Sequence, residues 1–395
     1  MAARFRNFAF ASKCVVLASL ITACSSQGGG VAPTMAPPSS SSAQPPMSTS
    51  QSTSALGHAV DVDSGGGDSD LKRLSTLTTI GSTVDPLNGD QNPYGLDIAP
   101  VDAGLLKAGD LVVCNFNDSA NVQGNGTTIV ALHPVAGSSP TRIAQHSSLL
   151  GCDALALAPN DNIWLAAVNA NDNPIFSPSG TFVTALSGGP WHAPFGEAFA
   201  PARDKHGNPA FYESNASDGS IVRINIKPGP SFTFDVIATG FAVNGGPPGS
   251  ILGPSGLQYD DDGDRLYIVD GANNTLTVFS DVSKIPAGGI SVSGTKFGGH
   301  FKDHAKLVFS GAPLNGPISS ALLPDGHLVL GNTLDPNGTN LLVEIKPDGH
   351  LVATKNVDTG ASGALFGMVA TGRDPKSTKL YFNDDNDNTV KVLTR

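Results

Sequence analysis

The chain has 395 residues, 39% of them hydrophobic and 14% charged, with 34 acidic side chains against 23 basic ones. A net charge of −11 argues against nucleic acid or an anionic membrane surface as a direct partner. Beyond the first two dozen residues, no stretch is long and apolar enough to cross a membrane.

The N-terminus reads as an address. Arg4, Arg6 and Lys13 precede the apolar run Cys14–Ala23, "CVVLASLITA", which is too short to span a bilayer stably. It closes on Ile21-Thr22-Ala23-Cys24, which resembles the lipobox of bacterial lipoproteins. That resemblance implies a signal peptide over 1–23, lipidation of Cys24 and a membrane-anchored protein facing the periplasm or exterior. Ser25 in place of an aspartate resembles the outer-membrane sorting pattern of double-membraned hosts. Residues 24–70 are rich in Ser, Pro, Gly, Ala and Thr and cannot bury enough surface to offset ordering, so they are expected to form a disordered tether.

The folded body is expected over 71–395, and it repeats. The clearest unit is Gly253–Phe279, "GPSGLQYDDDGDRLYIVDGANNTLTVF": Pro-x-Gly, an alternating strand, a Gly turn, a second strand, an Asn-rich turn, a third strand. Five further segments fit this form. The Gly position is filled by Gly95, Ala154, Gly196, Gly256, Ser319 and Gly367, at spacings of 59, 42, 60, 63 and 48 residues. Helical periodicity is nearly absent. Isolated four-stranded sheets would leave two apolar faces in water, so the units must stack around an axis. The expectation is an all-β, six-bladed propeller of four-stranded antiparallel blades. The last unit ends in its third strand at Arg395, and "LSTLTTIGSTV" (Leu74–Val84) has the character of its missing outer strand.

Gly253–Phe279 resembles the NHL repeat, and the six-unit body resembles an NHL-type propeller. More distantly it is similar to the gluconolactonase/senescence-marker family. That family's divalent metal is held by a Glu, by Asn residues at Pro-Asn-Gly turns and by an Asp. Here the corresponding turns are Pro93-Tyr94-Gly95 and Pro254-Ser255-Gly256, without the Asn.

Two acidic features have competing readings. Asp260, Asp262 and Asp264 have the alternate spacing with which a calcium loop begins, yet Gly271 stands where a bidentate Glu would close it. The same slot in other units is a plain turn, "LPDGHL" or "APNDNI", so a hairpin accounts for it equally. The loops between second and third strands are Asn/Asp-rich in every unit, "NDDNDN" in the last. They are either turn builders or a rim at the channel mouth that binds a cation or a small, hydroxyl-rich polar ligand and repels anions; calcium or another divalent cation is the candidate ion.

The first strands line the axis, so their departures from pattern point to a site. Glu197 follows the Gly position where four units carry an apolar side chain. Trp191 and His192 precede the same strand, and Tyr94, Phe195 and Phe366 stand just before the Gly position. These six residues are the candidate ligand-binding group, with His192 and Glu197 as candidate acid/base residues. Of the remaining cysteines, Cys114 ends a second strand and Cys152 begins the next unit's first strand. In an exported body they point to one disulfide, with two buried thiols as the alternative. The functional expectation is a ligand- or protein-binding scaffold at the cell envelope. A metal-assisted hydrolase or lyase is the alternative.

Overall fold

The computed structural model describes residues 69–201, 208–228, 231–335 and 339–395. The expected signal peptide, Cys24 and the tether up to residue 68 lie outside the described residues.

Six antiparallel blades form the body. Their innermost strands are Gln91–Ile98, Cys152–Leu157, Pro194–Ala200, Pro254–Asp260, Ser319–Leu322 and Leu365–Thr371. Each packs against the next and the sixth against the first, so the ring is closed. The closing strand is Thr76–Ser82, paired antiparallel with the C-terminal Thr389–Thr394 as the outermost strand of blade 6. First and last parts of the chain thus share one sheet, and the ring has no free seam.

The buried apolar side chains sort by position around this ring. Six clusters lie between neighbouring blades, for example Tyr267, Val269, Leu328 and Leu330 between blades 4 and 5. A seventh lies on the axis. This is the burial that four-stranded units cannot achieve alone.

The Pro-x-Gly signature has a steric cause. A Cβ on Gly196 would stand 1.8 Å from the Ser255 carbonyl oxygen of the next blade, and one on Gly367 would stand 2.4 Å from that of Tyr94. Glycine lets adjacent inner strands approach backbone to backbone near the axis. In five blades the ladder also shifts register here, which aims the following side chain at the channel.

The run Asp260–Asp264 is a hairpin turn. Asp264 takes a left-handed backbone (φ 47°). Its carboxylate accepts from the Tyr259 hydroxyl (3.1 Å) and the Ser283 hydroxyl (2.6 Å), while Asp260 pairs with Arg265 (3.0 Å). The Asp262 N–H donates to Asp260 Oδ1 (3.2 Å), a turn contact, and the three carboxylates are not among the groups whose ligand atoms converge.

Cys114 and Cys152 are joined, which ties blade 1 to blade 2 across a Cα separation of 6.0 Å. One feature departs from the plain four-stranded pattern. The hairpin Ile290–Ser293/Lys296–Gly298, carried by the third-to-fourth-strand connection of blade 4, pairs in parallel with Ser231–Thr239 and extends blade 3 to six strands. Buried Arg223 fastens this connection, donating to the carbonyls of Val282, Ser283 and Ile285.

Candidate functional site

The residues just before the Gly position form a ring near the start of the inner strands: Tyr94, Asp153, Phe195, Ser255, Ile318 and Phe366. Tyr94 is stacked between Phe116 (centroids 4.1 Å apart) and Phe366 (3.6 Å). With Phe195, Ile318 and Val168 these rings make the axial apolar cluster. Behind it lies a cavity with about 510 Å³ of unfilled space, part of it open to solvent. A second cavity of about 370 Å³ continues toward the far ends of the same strands, past Asp97, Pro159, Phe199 and Tyr259. Glu197 lines both.

Three carboxyl groups, Asp97, Asp153 and Glu197, line this channel on the side of blades 1 to 3, and a fourth, Glu213, is buried beside Glu197. Glu197, on the innermost strand of blade 3, is directly opposite Glu213 on its neighbour Ala210–Asn215. The amide of Asn173, which stands at the start of a blade 2 strand, donates to Glu197 Oε1 (3.2 Å) and Glu213 Oε2 (2.5 Å). Glu197 Oε2 and Glu213 Oε1 accept from no other group among the described residues, and the two side chains hydrogen-bond each other through a proton. Burial pushes both carboxyls well above the usual range, and the charge of Glu213 pushes Glu197 further. Two carboxylates this close in a dry setting cannot both ionise, so the pair holds a proton at neutral pH.

Asp153 is 5% exposed, and neither of its oxygens has a partner among the described residues. Burial, with the charge of Glu213 adding to it, holds it well above the normal value. Asp97 is raised to about 6 by burial, against the opposing effect of N–H groups from Leu157 and Ile98, each at 2.8 Å.

Four of the six expected binding residues meet at this axis: Tyr94, Phe195, Glu197 and Phe366. The other two stand elsewhere. Trp191 is buried between blades 2 and 3, edge-on to Phe234, with its indole N–H donating to the Leu186 carbonyl (2.9 Å). His192 has a side chain 57% exposed, with Nε2 3.7 Å from Asp218. Glu197 therefore has Glu213 as its immediate titrating neighbour, where the sequence pointed to His192. Asp153 occupies the same ring position as the three expected aromatics, and the repeat alignment contains it.

The Asn/Asp-rich loops, on the face where the inner strands begin, largely bond among themselves. Asp118 accepts from the N–H groups of Ala120 and Val122, Asp384 pairs with Lys391 (2.6 Å), and Asn386 donates to Asp358 (2.7 Å). These are turn-building contacts.

Among the described residues, one group of His, Cys, Asp or Glu has three ligand atoms within 4.8 Å of one another: Asp325, His327 and Glu344. Its donors could hold a divalent cation. Asp325 and His327 lie in the first hairpin turn of blade 5 and Glu344 on its third strand, Leu341–Ile345, away from Asp260, Asp262 and Asp264. His327 Nδ1 is 2.8 Å from Glu344 Oε1 and 3.2 Å from Asp325 Oδ2. Glu344 also accepts from the Ser69 hydroxyl (2.5 Å) and the N–H groups of Asp70 (3.2 Å) and Leu71 (3.1 Å). The cluster is thus already a clamp on the N-terminal segment, whose Leu71 and Leu74 are buried between blades 5 and 6.

No protein-family model matches the chain, and no curated protein matches it in sequence. Among solved structures it is similar to a catalytically inactive form of virginiamycin B lyase from Staphylococcus aureus with quinupristin, at 14% identity and a TM-score of 0.47. That match covers 81% of this chain and 85% of the other. A streptogramin B lyase structure is similar at 13% identity and a TM-score of 0.46, covering 81% and 87%. A chain of a nidogen/laminin complex is similar at 15% identity and a TM-score of 0.50, covering 71% and 85%. At these identities the likeness shows the β-propeller fold alone.

Proposed function

We propose that the chain is a lipid-anchored, extracytoplasmic propeller of the cell envelope that binds a small polar ligand in its axial cavity. Anchoring rests on the resemblance of Ile21–Cys24 to a lipobox. Binding rests on one observation: Asp153, in the cavity wall beside Glu197, presents two buried carboxyl oxygens that no group among the described residues satisfies. An unmet buried acceptor costs about 1–3 kcal/mol, and a ligand that supplies donors recovers that cost. The test is a thermal-shift screen of polar small molecules on the wild type and Asp153→Asn. Binding in the cavity is supported by compounds that raise the midpoint of the wild type and fail on the variant. Equal shifts in both proteins, or shifts with none of the compounds, would count against it. Anchoring is tested by fatty-acid labelling and membrane fractionation of the wild type and Cys24→Ser.

A hydrolase or lyase is the second reading, and one observation favours it: the Glu197–Glu213 pair can take up and release a proton beside a cavity. Its metal-assisted form has less support, because the axial carboxylates are not among the groups whose ligand atoms converge. Turnover of a lactone or sugar ester, lost in Glu197→Gln, would decide for it.

A further inference from the structure

We propose that the axial cavity takes a compact organic ammonium ion, seated against Asp153 and Glu197, with Glu213 buried beside Glu197, and entering past Phe199 and Tyr259. The inference rests on the cavity being a ligand site and names the chemical class that fits it.

The unpartnered atoms here are acceptors. Both oxygens of Asp153 and the hydroxyl oxygen of Ser320 lack partners among the described residues and line the cavity, and Asp153 is more than nine-tenths buried; Glu197 Oε2 beside them has only the proton it shares with Glu213. Among the described residues, no Lys, Arg or His lines either cavity. A ligand that completes this set must bring donors and positive charge; an anion or a ligand rich in acceptors would leave the carboxyls as they are. An ammonium group carries three donors and no acceptor.

The spacing selects against a bare metal ion. A divalent cation draws oxygen ligands to ~2.0–2.6 Å, which requires them to converge. The carboxylates of the channel do not form such a group, whereas Asp325, His327 and Glu344 do. An ammonium reaches acceptors at ordinary hydrogen-bond distances, so a looser arrangement suits it. The remaining walls fit the rest of such a molecule. Leu96, Leu155, Leu257 and Met368 offer apolar contact to a short hydrocarbon body. Phe199 and Tyr259 at the entrance offer ring faces to a passing cation.

Binding should also move a proton. The charged neighbours of the Glu197–Glu213 pair are Asp97 and Asp153, both carboxyls. A cation placed among them favours ionisation of both glutamates, so the shared proton leaves to solvent as the ligand enters.

The experiment is isothermal titration of the purified full-length protein in detergent. The probes are n-butylamine, n-butanol and calcium chloride, titrated at pH 7 in two buffers of different ionisation enthalpy. The expected result is saturable binding of n-butylamine at least tenfold tighter than of n-butanol. Its heat should depend on the buffer in the sense of proton release. Glu197→Gln and Asp153→Asn, each checked for an intact thermal unfolding transition, should each weaken it at least tenfold. Equal binding of n-butanol would overturn the ammonium class while leaving the cavity as a ligand site. Calcium binding lost in Asp153→Asn would overturn it in favour of a metal. Amine binding with no proton release, or unaffected by both substitutions, would place the amine elsewhere and overturn it too. If none of the probes binds, the ammonium inference falls, and the broader thermal-shift screen decides separately whether the cavity is a site.

Discussion

Glu197 and Glu213 face each other across the first two strands of blade 3, and one amide, that of Asn173, donates to both. Two acids in register on one sheet face are destabilising when ionised, so this pair is held by the fold at a cost to stability. Glu213→Gln can keep the contact to Asn173 while removing one charge. Carboxyls with raised folded values favour the fold below their unfolded value of about 4.3, and that contribution is lost as pH rises toward the folded values. Wild-type stability should therefore fall as pH rises from about 4.3 through neutrality. Glu213→Gln should flatten that fall and gain about 1–2 kcal/mol at pH 7, as read from urea unfolding at several pH values.

The two partners of the clamp between His327 and Glu344 depend on pH in opposite senses. Hydrogen bonding to Glu344 raises His327, outweighing its burial. Its contribution is full below the unfolded value of about 6.5 and is lost as pH rises through the higher folded value. Glu344 is lowered because donors from His327, Ser69 and Leu71 outweigh its burial, so its share is lost as pH falls through its folded value. His327→Gln should remove the loss on the alkaline side. Glu344→Ala, which strands a buried hydroxyl, two N–H groups and the imidazole, should cost about 3 kcal/mol. Limited proteolysis near residue 69 should report it as earlier cleavage.

The inner-strand glycines are not equivalent. A Cβ at position 196 meets a backbone oxygen at 1.8 Å, and one at 256 meets its nearest atoms at 3.0 Å. Gly196→Ala should cost about 2–3 kcal/mol by forcing two blades apart. Gly256→Ala should cost less, since a small shift relieves it. Thermal unfolding of the two variants gives the order.

The disulfide closes a loop of 38 residues between neighbouring blades. On the chain-entropy model, replacing Cys114 and Cys152 together by serine should destabilise the fold by about 4 kcal/mol. Comparison of midpoints with and without reductant on the wild type should reproduce the direction.

Much of the fold was legible because the repeat is carried by local chemistry. Pro-x-Gly, the Asp/Gly hairpin and the Asn-rich turn mark each blade, and a missing fourth strand at Arg395 pointed to Leu74–Val84, where Thr76–Ser82 closes the ring. Cys114 and Cys152 followed from the same blade alignment. The hairpin at 290–298 was not legible, because it pairs with a neighbouring blade through a contact that leaves no mark in its own short, Ser/Gly-rich sequence. At the axis, Glu197 stood out as a charge in an apolar series. Glu213 did not, because the connection from Pro201 to Pro209 hides the register that sets the two opposite one another. Asp153 was in view one residue before Ala154, but the ring was read for its aromatics. Trp191 and His192 lie next to the same strand in sequence, yet the chain reaches the axis only after them. The turn before Pro194 leaves one in an inter-blade layer and the other on the surface.

The central claim is that the buried carboxyls at the axis receive a ligand. The most direct measurement is a crystal structure of the protein soaked with the best-stabilising compound from the thermal-shift screen. The account predicts ligand density in the axial cavity, within hydrogen-bond distance of Asp153 and Glu197. Density confined to the Asn/Asp loops, to the Asp325–His327–Glu344 clamp or to blade edges, with the axial cavity unchanged, would contradict it.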